Sequence, residues 1–204
     1  MVLGREALAE EIRRTHAQEA EAIAVALAVL CVPESSDAEE LSIVLTGQAL
    51  LQSDIRVTSP NVISTVRPLM NGDVNFTNFE TTVKLKDDPV TDLDPIGGLY
   101  GPPESLDVLT DMGVNLMALS NNHAFDLATL GLLNTLRQVK ARKIVHAGIG
   151  ETLAEAAAPG YLRTPKGTVA LVSMATGLIR DGAHATETKP GINELRLEGG
   201  KPGV

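Results

Sequence analysis

The sequence predicts an α/β fold, and three observations carry that reading. Short β-branched or apolar runs recur at residues 41–46, 74–79, 114–119 and 144–148, each of strand rather than helix length. Segments with helical spacing of apolar residues lie between them, at 61–70, 103–112 and 127–141. The run at 114–119, VNLMAL, passes directly into the polar turn Ser120-Asn121-Asn122-His123 and then into a helix. Strand, polar turn and helix in that order build parallel sheets, and ligands collect just beyond the carboxyl ends of such strands.

The totals bound what the chain does. Its 204 residues suffice for one good-sized domain, and 44% hydrophobic content supplies a core. Acidic residues outnumber basic ones, 26 to 17, for a net charge of −9. That balance leaves no basic footprint for nucleic acid, and 2% aromatic content with no Trp argues against a stacking platform for bases. The single cysteine, Cys31, excludes an internal disulfide and a multi-cysteine zinc site.

Residues 5–30 contain no Gly or Pro and read as a helix. Their end, AIAVALAVLCV at 22–32, is too short to span a bilayer but has the length of a signal-peptide apolar region. Against export, Glu19 and Glu21 stand where positive charge should be, no small-x-small cleavage site follows, and Leu30 spoils a lipid-attachment motif at Cys31. The reading is a packing helix or a mis-called start, with export or membrane anchoring as the alternative, so the location is cytoplasm or cell envelope. Residues 33–40 turn acidic and mark a linker, which makes 1–40 a helix and linker, 41–198 the domain and 199–204 a turn-rich tail.

Within the domain, residues 41–46 form a first strand ending at Gly47. A helix at 61–70 puts Val62, Ile63, Val66 and Leu69 on one face, and Asn71-Gly72 closes it. The alternating run at 74–79 is a second strand that delivers Glu80 at its end. Residues 84–101, rich in charge, Gly and Pro, read as a long surface loop that lids or lines a site. A helix at 103–112 starts on proline and stops at Gly113. Asp126 stands as N-cap before Leu127, Leu130, Leu133, Leu136 and Val139. A further strand follows at 144–148, then a short helix at 152–158 ended by Pro159. Runs at 161–163 and 168–173, joined through Pro165-Lys166-Gly167, make a hairpin. Beyond Met174 the periodicity fades.

Three strand ends therefore converge: Gly47-Gln48, Asn78-Phe79-Glu80 and Asn121-Asn122-His123. Together they offer a carboxylate, amide oxygens and an imidazole, a mixed set that suits Mn²⁺, Fe or Zn²⁺ better than Ca²⁺. A metal there would polarise a phosphoryl oxygen or acidify water while an imidazole protonates the leaving group. The plain alternatives are an exposed strand-end charge at Glu80, a turn-capping Asn122 and a structural His123.

Several blocks in fixed order, TGQALL, NFTNFE, ALSNNHAFDLATLGLLNTL, HAGIG and PGINELR, resemble the bacterial CapA-like family. That family is linked to poly-γ-glutamate capsule synthesis, within the calcineurin-like metallophosphoesterase superfamily. The similarity runs from about residue 42 to about 196, with SNNHAFD its most specific part. It implies a metallophosphoesterase-like αββα sandwich with a divalent-metal site at the strand ends. By position, Glu80 matches the acidic ligand of an N-x-E motif, and Asn122 and His123 match an Asn-His pair in which Asn binds metal and His is the acid. Asn78, Asn121 and Asp126 then stand behind those groups, Asp126 as helix cap or supporting carboxylate.

Two departures qualify the resemblance. Where the family carries Gly-Asp at the first strand end, this chain has Gln48, neutral and a poorer ligand for a hard cation. The later histidine motifs are also missing: residues 175–204 contain only His184, a loop histidine, and neither His16 nor His146 has ligand spacing to a partner. The resemblance thus implies an incomplete sandwich, the N-terminal half to two-thirds of the family domain, whose exposed strand edges favour a homo-oligomer or a completing partner chain. Three functions follow as expectations: a capsule-synthesis protein with a degenerate site, an active metal-dependent hydrolase of a small molecule or polymer, or a non-catalytic polymer-binding or assembly fragment. The acidic charge makes unaided capture of a polyanion unattractive.

Overall fold

In a computed structural model of the protein, the description covers residues 40–89, 98–177, 179–198 and 201–203, all within the unit that starts at Glu40. The expected helix at 5–30, the apolar run at 22–32, nearly all of the acidic linker and the middle of the loop at 84–101 lie outside the described residues.

The centre is a parallel four-stranded sheet, consistent with a metallophosphoesterase-like α/β fold. Its strands are β1 (Ile43–Ala49), β2 (Val74–Phe79), β5 (Leu116–Ala118) and β6 (Val145–Ala147), adjacent in that order. Parallel neighbours need crossovers, and helices supply them. Between β1 and β2 run α1 (Ile55–Thr58), α2 (Val62–Val66) and a 3₁₀ turn at Arg67–Leu69. Between β2 and β5 come two short strands, β3 (Thr82–Val83) and β4 (Tyr100–Gly101), then α3 (Glu104–Met112). Gly113 ends α3 at φ 106°, a left-handed conformation that a side chain rarely adopts. The long α4 (Ala128–Ala141) leads into β6.

After β6 the chain makes β7 (Ile149–Gly150), α5 (Leu153–Ala156) and the hairpin β8 (Gly160–Thr164) with β9 (Gly167–Leu171). The Thr152 hydroxyl caps α5 by accepting from the Glu155 N–H. The region beyond Met174, where the sequence pattern fades, contains paired strands nonetheless. There β10 (Gly191–Ile192) pairs antiparallel with β7, and β11 (Arg196–Glu198) pairs with β12 (Lys201–Gly203) in the expected tail. Segments this short show no two-residue periodicity, and in the β7–β10 pair the facing Ile149 and Ile192 are both buried in the core. The expected surface loop likewise ends in a strand, since β4 pairs parallel with β3.

The core lies under one face of the sheet, where Met70, Phe79, Leu109, Met117, Leu132 and Leu136 are buried together. Leu69 does not join the apolar face expected for its helix and is 70% exposed. Tightening to 3₁₀ geometry at Arg67 and Pro68 turns the chain faster than 3.6 residues per turn and carries Leu69 outward. On the opposite face, Leu45, Phe76, Leu116 and Val145 form one row across the sheet. Burial along it rises from Leu45, 74% exposed, to Leu116, fully covered. The β8–β9 hairpin packs on β6, and among the described residues β1 is the edge strand of the four-stranded sheet.

The hairpin's turn is also tied to the sheet's amino-terminal end. Lys166 Nζ donates to Asp73 Oδ2 at 3.1 Å and to the Glu40 carbonyl at 3.0 Å. Asp73 accepts from the Ser42 hydroxyl at 2.7 Å and the Ser42 N–H at 2.8 Å, and these bonds with Lys166 hold its carboxyl at about 2. A carboxyl depressed on folding stabilises the fold fully above its unfolded value near 4, and the contribution fades as pH falls through 2. Asp73→Asn is therefore expected to lower the melting temperature at neutral pH and to flatten its fall between pH 4 and 2, checked by circular dichroism melts across that range.

Candidate functional site

The site is assembled at the carboxyl ends of β1, β2 and β5, beginning with an irregularity in β1. Leu45 pairs with Phe76 and Gln48 with Asn78, so two β1 residues stand opposite Thr77 alone. Such a bulge adds one residue and reverses which face the following side chain takes. It falls at Thr46-Gly47 and sets Gln48 beside Asn78. Residues two apart in an extended chain share a face, which brings Glu80 to the same place.

Glu80 is 6% exposed, and its carboxylate is met by amides. Gln48 Nε2 donates at 3.1 Å to both oxygens, and Asn78 Nδ2 donates at 2.5 Å to Oε1. Asn78 is oriented in turn, because its Oδ1 accepts from Asn121 Nδ2 at 3.1 Å. Asn121 Nδ2 also donates to the Phe79 carbonyl at 2.9 Å, and its Oδ1 accepts from the His123 N–H at 3.1 Å. The result is a directed relay from the turn after β5 to the carboxylate at the end of β2. Asn121, expected in a supporting place, is the amide wired into it. Asn122 is exposed at the rim, with no side-chain hydrogen bond among the described residues.

A second carboxylate organises the imidazole. Asp126 is 2% exposed and does not cap α4, whose N-cap residue is Leu127 without a side-chain bond. Tertiary partners take its oxygens instead. Oδ2 accepts from the Leu99 N–H at 2.7 Å and lies 2.8 Å from His123 Nδ1, while Oδ1 accepts from Arg180 Nε at 2.7 Å. An ionised carboxylate only accepts, so Nδ1 carries the hydrogen and Nε2 is the ring nitrogen left for chemistry. The imidazole is 30% exposed. Leu99 is the returning end of the long loop, whose base is thereby fastened to the site. A cavity of about 360 Å³ opens beside Phe125, Asp126, Ala128, Arg180 and Asp181.

The turn itself is clamped from far along the chain. Ser120 N–H donates to Ser173 Oγ at 3.2 Å, Ser120 Oγ to the Asn193 carbonyl at 2.8 Å, and Asn193 Nδ2 to the Ser173 carbonyl at 2.8 Å. Gly148 makes room: a Cβ there would lie 2.6 Å from Ser120 N and 2.7 Å from Ser173 Oγ. Arg180, Ser173 and Asn193 were not candidates from the sequence. Only Asn193 carried a signal, its place in the block PGINELR. His184, Nδ1 3.1 Å from Arg196 Nη2, and His146, Nδ1 2.8 Å from the Ile144 carbonyl, stand in pairings of their own. Another cleft, about 470 Å³, lies at the opposite sheet end beside Arg67, Asn75 and Asn115, and the Asn75 and Asn115 amides serve backbone partners.

The superfamily resemblance implies a divalent metal, and the residues present do not fit one as they stand. Among the described residues no three His, Cys, Asp or Glu side chains are grouped to hold an ion. Glu80, at the three strand ends, has both oxygens taken by N–H donors rather than by groups that share a cation.

Residues 42–199 match the model of a family described as bacterial capsule synthesis protein PGA_cap. Two relatives, both from Sinorhizobium fredii (strain NBRC 101917 / NGR234) and called uncharacterized proteins y4sH and y4uA, are each 37% identical over 147 residues. The match takes in 68% of this chain and 32% of each relative, so the chain spans about a third of the length of the curated relatives it matches.

Asp126→Ala removes a buried acceptor from Arg180, Leu99 and His123 together. The expected cost is about 3 kcal/mol of unfolding free energy in urea titrations, against a smaller loss for Asp126→Asn, which keeps one oxygen.

Proposed function

The chain belongs to the family of bacterial capsule synthesis proteins, and from that premise we propose a role in capsule assembly that involves no hydrolysis at the strand-end site. The polymer concerned is poly-γ-glutamate, and the chain acts on a metallophosphatase-type scaffold whose site is degenerate. The observation that carries this reading is the bonding of Glu80. A hydrolytic site on this scaffold needs its strand-end carboxylate for an ion or a proton, and here Gln48 and Asn78 hold it by neutral donors.

Net charge bears on how the polymer is met. A protein at −9 repels a polyglutamate chain over most of its surface. Assembly through a partner, with the β1 edge strand as a contact, accords better with that charge than direct capture does. Among the described residues no helix is long and apolar enough to cross a membrane.

One observation favours a hydrolytic reading instead, the Arg180–Asp126–His123 chain, which presents a partly exposed imidazole with its tautomer fixed. The test separates the two. In a capsule-deficient strain lacking this protein, His123→Ala is expected to restore capsule as fully as the wild-type chain. Purified protein is expected to turn over p-nitrophenyl phosphate no faster than buffer with Mn²⁺ added. Turnover that disappears in His123→Ala, together with failed complementation, would establish a hydrolase.

A further inference from the structure

We infer that the Gln48 side-chain amide occupies the place of a cation at Glu80, and that this neutral donor keeps a divalent ion from the carboxylate. The inference rests on the proposed non-hydrolytic reading only in sharing its residues, and it concerns ion occupancy rather than turnover.

The geometry supports it in three ways. Gln48 Nε2 is equidistant, at 3.1 Å, from the two Glu80 oxygens, the head-on approach that an ion shared by both oxygens would make. The bulge at Thr46-Gly47 is what aims Gln48 there, since regular pairing after Leu45 would place Gly47 rather than Gln48 opposite Asn78. The neighbouring amides also cannot be reversed singly. A cation would need amide oxygens turned inward, yet Asn78 Oδ1 is held outward by Asn121 Nδ2, and Asn121 Oδ1 by the His123 N–H. Turning Asn78 would set two NH₂ groups against each other and leave Glu80 with fewer donors.

Glutamate at 48 has the same length as glutamine but brings a second carboxylate where a donor now stands. Two carboxylates at that separation repel each other unless a proton or a cation stands between them. Gln48→Glu therefore removes the donor that fills the place and opens it to a cation, which competes there with a shared proton.

The test is a Mn²⁺ titration of the full chain, read by the electron paramagnetic resonance signal of free Mn²⁺ and by thermal melting. Wild type is expected to show no saturable uptake up to about 1 mM. Gln48→Glu is expected to bind at least about tenfold more tightly and to gain melting temperature with Mn²⁺, as a ligand of the folded state must produce. The gain should vanish in Gln48→Glu combined with Glu80→Ala. Uptake of one Mn²⁺ by wild type with the affinity of Gln48→Glu, or no gain in that variant, would overturn the inference.

Should Gln48→Glu fail to fold, wild type suffices on its own. The Gln48 and Asn78 side-chain NH₂ resonances are expected to keep their intensity at one equivalent of Mn²⁺, and their selective loss through paramagnetic broadening would overturn the assignment. Mn²⁺ uptake without turnover would sink this inference and leave the proposed function standing, whereas turnover by ion-free protein would do the reverse.

Discussion

A carboxylate withdrawn from water must be given donors, and the end of this sheet is arranged around that requirement at Glu80. The bulge in β1 exists where it turns Gln48 toward the carboxylate, and the polar turn after β5 exists where it orients Asn78. Each member of the relay fixes the next, so hydrogen-bond direction runs one way from the His123 backbone to Glu80. Fully satisfied networks of this kind make one arrangement much better than its alternatives.

The same rim holds a second buried carboxylate solved differently. Asp126 meets a guanidinium, a backbone N–H and an imidazole, so charge is answered by charge. Among the described residues Glu80 meets only neutral amides. The two lie on either side of the turn at 120–123, one tied to strand ends and the other to the returning loop and residue 180. The turn's conformation is thus determined from both flanks, with Ser173 and Asn193 closing it from behind.

What could be read from the sequence was local. Helix α3 is bounded by Pro103 and Gly113, the hairpin turns where Pro165 and Lys166 stand, and Glu80 follows an alternating strand, all decided within a few residues. What could not be read depends on distant partners. Asp126 has the sequence context of a helix cap, but Arg180, 54 residues on, claims its carboxylate. Gln48 reads as a lost ligand, whereas the bulge that turns it into a donor leaves no mark beyond Gly47. Leu69 carries an apolar pattern that the 3₁₀ turn cancels. Residue 173 ends an expected strand run, and residues 180 and 193 sit where short pairings hide any period.

The clamp on Ser120 has a bearing on biosynthesis. Its partners are contributed 53 and 73 residues after the turn they hold. While the chain emerges from the ribosome, β1, β2 and β5 can pair as soon as residue 118 is free, yet the seat for residue 120 stays unformed until residue 193 has cleared the exit tunnel. Residues that build the sheet are therefore synthesised before those that clamp its rim. A stalled or prematurely released chain would carry the scaffold without the finished rim.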